Sequence, residues 1–195
     1  MLFVDVVLGP LLTFIVFNYK KPRNKIIFDL SIIVVIQIGA LIWGVNAIYN
    51  GRPVVIVYYE GSFSSQEARV FNDLGVDINK IKGDGYPPIV VVSKLKSRAD
   101  GEARIKLYNR GFSELQIIDT YETVSENIDM IKGDSDIFNF YFSRNESRKK
   151  MLEQYLKNGN KNREDFIIRN YIGKFSGGLI IFGKQGKYIE TLIDK

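Results

Sequence analysis

Two long apolar runs open the chain, and beyond them the pattern shortens into strand-like and helical segments. Leu2 to Phe17 is broken only by Asp5, Gly9, Pro10 and Thr13, and Leu30 to Ile48 has Ser31, Gln37 and Asn46 as its polar members. At 1.5 Å per residue the second run is roughly 29 Å long, enough for a bilayer core of about 30 Å, whereas the first reaches about 24 Å and falls short. The two are read as a transmembrane helical hairpin over residues 1–50, with spans at about 2–18 and 26–48. No basic residue precedes Leu2, so the start does not read as a signal peptide. The short first span leads us to expect a further helix upstream of Met1.

The bend between the runs, YKKPRNK, carries Lys20, Lys21, Arg23 and Lys25. The positive-inside rule places such a bend in the cytoplasm and everything after Asn50 on the extracytoplasmic side. Asp5, Gly9 and Thr13 share one helical face, and Gln37, Ala40, Gly44 and Ala47 form a stripe of one amide and small residues on the other span. In such a hairpin Asp5 and Gln37 lie within roughly 4.5 Å of the same depth. Two readings stay open for these stripes: packing of the two spans on each other, or a surface for a third helix from a partner. Asp29 is read as a partner for Lys25 or Lys21.

After residue 50 the pattern predicts one α/β (α+β) domain over residues 51–195. PVVIVYY (Pro53 to Tyr59) reads as a buried strand. Ser64 with Glu67 reads as a capping box for a helix presenting Ala68, Phe71 and Leu74 and stopped by Gly75. A second strand, PIVVVSK, follows the turn GDGYPP. Helical patterns recur around Glu102 to Arg110, stopped by Gly111, and around Val124, Ile128 and Ile131, stopped by Gly133. A longer helix is expected from Ser143 and Glu146 to Gly159, with Met151, Leu152, Tyr155 and Leu156 on one stripe. Arg148, Lys149 and Lys150 on it are a solvated face or a contact for anionic lipid headgroups. DFIIRNYIGK, GLIIFGK and KYIETLID close the chain as an antiparallel meander turning at FSG and at Gln185-Gly186.

Composition removes chemistry. The chain has no cysteine and no histidine, which excludes disulfides, thiolate nucleophiles, Cys/His metal sites and imidazole bases. A net charge of +5, from 27 basic and 22 acidic residues, is too small an excess to argue for nucleic acid. The glycine clusters GDG and SGG lack the rest of a phosphate-binding loop. Asp134 with Asp136, and Asp77 with Asp84, read as turn-forming aspartates rather than metal ligands. Ser93 with Lys94 or Lys96 is the one serine–lysine dyad candidate, but neighbouring residues of a strand point to opposite faces. The sequon at Asn145 sits at a helix start. We therefore expect no catalytic residues, no cofactor and no metal.

The string DVVLGPLLTF (Asp5 to Phe14), Lys20 and Lys21, FDL (Phe28 to Leu30), Gln37, Ala40-Leu41, Gly44 and Arg52-Pro53 together resemble the type IV pilin accessory proteins. The resemblance covers roughly residues 3 to 58. It implies a bacterial inner-membrane protein with its C-terminal domain in the periplasm, non-enzymatic, which helps a type IV pilin to be stabilised or assembled. It also implies a helix upstream of Met1. On this reading Asp5, Gly9, Pro10, Thr13, Gln37, Ala40 and Gly44 face the pilin helix within the bilayer, and Lys20, Lys21, Arg23 and Lys25 set the topology. The other readings are a membrane-anchored binding, immunity or envelope-sensing module and, through Ser93, a membrane-bound hydrolase.

Overall fold

A computed structural model describes residues 22–194, with the side chains of residues 135–137 and 141 outside that description. The first apolar run, and with it Asp5, Gly9, Pro10, Thr13, Lys20 and Lys21, lies outside the described residues. The chain divides into two compact units, one ending at Gly51 and one beginning at Arg52.

In the first unit, α1 (Arg23–Asn50) is a 28-residue helix, about 42 Å long at 1.5 Å per residue. It follows the extended Pro22, whose carbonyl takes the first amides of the helix, from Lys25 at 2.9 Å and Ile26 at 3.3 Å. No proline interrupts it, and Gly51 ends it with its amide on the Ala47 carbonyl at 3.0 Å.

The second unit is built on a mixed seven-stranded sheet in the order β4-β3-β1-β2-β5-β6-β7. β1 (Pro53–Tyr59) runs parallel to β3 (Ile89–Val92), with Ile56 opposite Ile89 and Tyr58 opposite Val91. β4 (Tyr121–Thr123) lines the outer side of β3. β5 (Phe166–Ile172), β6 (Gly177–Gly183) and β7 (Tyr188–Ile193) form the expected antiparallel meander.

The Ser64–Glu67 capping box is not formed. Ser62–Glu67 is instead β2, which folds back on β1 with Ser64 opposite Val57 and Phe63 opposite Tyr58. The reason is the turn before it: Glu60 and Gly61 both have positive φ, 47° and 83°, the combination that a two-residue hairpin turn of matching twist requires. The helix shrinks to α2 (Ala68–Asp73), opened by Glu67 without a side-chain cap and followed by Gly75 at φ 71°. β2 in turn takes β5 as a parallel neighbour, pairing Ser62–Ser64 with Asn170–Ile172.

Strand alternation sorts the core into two faces. Ile56, Tyr58, Phe63, Ile89, Val91, Ile167, Ile180 and Phe182 share one face, covered by Ile131 of α4 (Ile128–Gly133). Tyr58, Phe63 and Phe182 stack across it with ring centroids 4.8 and 5.0 Å apart. On the other face Val55, Val57 and Val90 pack on Phe71 of α2. Further along that face, Ile168, Leu179 and Ile181 pack on Phe138 and Phe142 of α5 (Ser135–Ser143) and Leu152 of α6 (Glu146–Asn158). Each fully buried side chain of this size contributes about 1.5–3 kcal/mol. Helices thus cover both faces of the sheet, and α3 (Arg98–Tyr108), capped by Ser97, follows β3.

The helix read as starting at Ser143 begins later. Ser143 belongs to α5, and α6 is capped by Asn145, whose Oδ1 accepts from the Arg148 amide at 3.0 Å. Arg148 leaves the basic run altogether: it is held by Asp194 at 2.7 Å and Asn170 at 3.1 Å.

Candidate functional site

Gln37, Ala40 and Gly44 follow one another at helical spacing along α1, so the structure places them on one face. Gln37 and Ala40 are exposed, and a Cβ built on Gly44 meets no described atom within 4 Å. Only Ile33 of the whole helix is buried, while Val35, Ile36, Leu41, Ile42, Trp43 and Ile48 all stand open. An apolar surface this extensive is not stable in water by itself and requires lipid or protein against it. Among the described residues α1 is the one helix long and apolar enough to cross a membrane.

Arg23 and Lys25 sit in the first turn of α1, exposed, with no acidic residue beside them in that turn. Positive charge at a helix N-terminus opposes the helix dipole, so these residues do not serve helix stability.

A second candidate lies in the folded unit. β1 and β3 run parallel, and beyond their carboxyl ends, the usual binding edge of an open α/β sheet, is a cleft of about 820 Å³. Tyr58, Tyr59, Ser93, Arg104, Glu114 and Asp134 supply its polar wall. Arg104 of α3 is buried and organises it. Its Nη2 donates to Asp100 Oδ2 at 3.0 Å and to the Ser93 carbonyl at 3.0 Å, and its Nη1 to Glu114 Oε2 at 3.3 Å. The guanidinium beside Asp100 holds that carboxyl below the usual aspartate range, assisted by the Lys96 amide.

Most polar groups around this centre are bonded to a neighbour, while Lys94, which also lines the cleft, forms no ion pair among the described residues. Tyr108 donates to Glu114, and burial together with that bond pushes its hydroxyl pKa up to about 12. Tyr58 donates to Asp134 at 2.6 Å; burial first, then the carboxylate, raises its pKa strongly. Lys96 pairs with Glu122, whose carboxyl is lowered by that contact and by Asn127.

No described hydrogen bond joins Ser93 to Lys94 or Lys96. The Ser93 hydroxyl lies against Arg104 Nη2 at 3.4 Å. Asp77 caps a short turn through the Asn79 amide at 3.0 Å, and the main chain of Asp84 bridges to Ile89.

Sequence reasoning missed Arg104 and Arg169, the two buried arginines. Arg169 carried a usable signal, a charged residue within the apolar strand run FIIRNYI. Arg104 carried a weaker one, the i, i+4 spacing from Asp100 on α3.

Over 55 residues, 28% of the chain, the sequence is 47% identical to two fimbrial assembly proteins of Dichelobacter nodosus, one of serogroups C1 and C2 and one of serogroup I. The matched stretch covers 42% of the first and 21% of the second, so the chain spans less than half the length of these relatives. No family model matches the chain. No solved structure matches it either. Over that partial stretch the likeness is to proteins of pilus assembly.

Proposed function

We propose that this chain is a membrane-anchored, non-enzymatic accessory protein of type IV pilus assembly, which binds a pilin at the bacterial inner membrane. The observation that carries the reading is α1: a 28-residue helix with almost no buried side chain, in a chain similar to fimbrial assembly proteins. With Arg23 and Lys25 at its cytoplasmic end, the positive-inside rule puts the domain from Arg52 onward in the periplasm.

A pilin awaiting assembly has an apolar helix in the bilayer and a folded head outside. Its helper needs a close-packing face at the same depth and a domain on the same side. Gln37, Ala40 and Gly44 supply the face: the small residues let a second backbone approach, and the Gln37 amide adds a hydrogen bond in hydrocarbon. The folded domain then lies level with the pilin head.

The test is Gly44→Leu. A leucine there displaces no described atom of this chain, so expression and folding persist, while close approach of a partner helix is blocked. Pilin recovered with the affinity-purified variant falls at least fivefold on this account. Unchanged recovery removes the intramembrane half of it.

A further inference from the structure

Arg169 is 4% exposed, yet it makes no ion pair among the described residues. Its three hydrogen bonds all go to main-chain carbonyls: Nε to Ile131 at 3.0 Å, Nη2 to the same oxygen, and Nη1 to Ile168 at 2.7 Å. The Tyr58 hydroxyl, which donates to Asp134, also lies beside the guanidinium. A buried cation to which no described carboxylate bonds directly is costly and favours an anion beside it.

The surroundings offer a place for one. β2 pairs only with Asn170–Ile172, which leaves the first half of β5 without a β2 neighbour. Beside that half is a cavity of about 290 Å³ lined by Lys132, Arg163 and Arg169, with Asn139 as a further donor and no carboxylate among the described residues of its wall. Arg169 lies 5.6 Å from the Phe138 ring and Arg163 5.5 Å from the Phe142 ring, and those two rings stack at 5.1 Å. The two guanidinium groups are thereby fixed on one aromatic shelf. Lys132 and Arg163 are exposed and form no ion pair among the described residues. Of the described acids nearby, Asp134 accepts from Tyr58, Asp165 pairs with Lys184 at 2.9 Å, and Glu153 lines the adjoining hollow.

We infer that this cavity is an anion site for a phosphate-type oxyanion, held by Arg169 from within and by Arg163 and Lys132 at the mouth. Three cations match a dianion better than a single carboxylate, and the paired guanidinium groups supply the planar forks that phosphate oxygens accept. Free phosphate and a lipid phosphate present the same chemistry to these residues.

The test uses the full chain in detergent micelles, titrated calorimetrically with inorganic phosphate at constant ionic strength against chloride. Saturable phosphate binding is expected. The double variant Lys132→Gln, Arg163→Gln, whose exposed positions leave the chloride melting temperature unchanged, weakens it at least tenfold. Displacement of phosphate by soluble dihexanoyl phosphatidylglycerol at lower concentration than phosphate itself assigns a lipid headgroup, and the reverse order assigns free phosphate; both support the site. Phosphate binding no tighter than chloride, or equal binding by the double variant, overturns it.

Discussion

Replacing Arg104 by methionine is the sharpest test of how the folded unit is held at its cleft. The side chain is 5% exposed and bridges α3 to the end of β3: it takes Asp100 and Glu114 as ion partners and the carbonyls of Ser93 and Lys94 as acceptors. Methionine fills the volume but makes none of these bonds. Removing one partner from a buried ion pair costs about 3–5 kcal/mol. Asp100 and Glu114 keep 29% and 23% of their side chains in contact with solvent and regain water once the arginine has gone, which argues for the low end, about 3 kcal/mol. For a unit of this size each kcal/mol shifts the melting temperature by about 2–4 °C, so Arg104→Met is expected to melt about 6–12 °C lower. Thermal unfolding of the full chain in detergent, followed by near-UV circular dichroism, reads this directly. Arg104→Lys recovers less than half of the loss, because one ammonium group cannot reach two carboxylates and two carbonyls at once. The control is Arg98→Met, whose pair with Glu102 is exposed at 94% and 61% and is worth less than about 0.5 kcal/mol. Loss of under about 1 kcal/mol at Arg104, or full rescue by lysine, refutes the assignment of this residue as the organiser of the cleft.

Three further outcomes are expected. Gly178→Ala places a Cβ 1.9 Å from the Leu192 carbonyl oxygen, a main-chain atom that cannot step aside, so the β6–β7 pairing opens at a cost of about 3 kcal/mol or more, read as a drop in urea midpoint. Asp100 and Glu122 have carboxyls lowered by Arg104 and Lys96, so the stability they add is complete above their unfolded values near pH 4–5 and is lost as pH falls through the lower folded values. Asp100→Asn therefore flattens the decline of the urea midpoint below about pH 4.5, and parallel curves for variant and parent contradict that sign. Ile38→Arg with Leu41→Arg puts two charges at the centre of α1, at about 2.5–3.5 kcal/mol each, and is expected to lower the membrane fraction that resists alkaline extraction; full retention argues against a spanning α1.

Much of the domain was legible because its strands are apolar runs between glycine-containing turns. The meander of β5 to β7 and the strands β1 and β3 follow from that pattern alone, while the parallel pairing of β1 with β3 comes from the structure. β2 did not, since SFSSQE is mostly polar and Ser64 with Glu67 imitates a helix start. The hairpin is decided by Glu60 and Gly61 at positive φ, and glutamate is not a residue expected there. α5 escaped for a related reason: Ser143, read as the start of the next helix, closes this one. Three arginines show the limit more plainly. Arg148, Arg104 and Arg169 look alike in sequence, but one is paired across 46 positions with Asp194, one sits among four acceptors, and one has only carbonyls. For Arg148 and Arg169 the outcome depends on contacts far apart in the chain that no local pattern encodes, whereas Arg104 has its first partner, Asp100, one helical turn away. On α1 the stripe of Gln37, Ala40 and Gly44 was legible from spacing, and the structure adds that nothing described covers Gly44.

The central claim is that this stripe meets a pilin helix inside the bilayer. A photoreactive residue at position 44, activated in intact cells that express the pilin, tests it most directly, with position 42 on the opposite side of α1 as reference. A crosslinked adduct with pilin from position 44 and none from position 42 is the predicted result. Adducts of equal yield from both positions, or none containing pilin, contradict it.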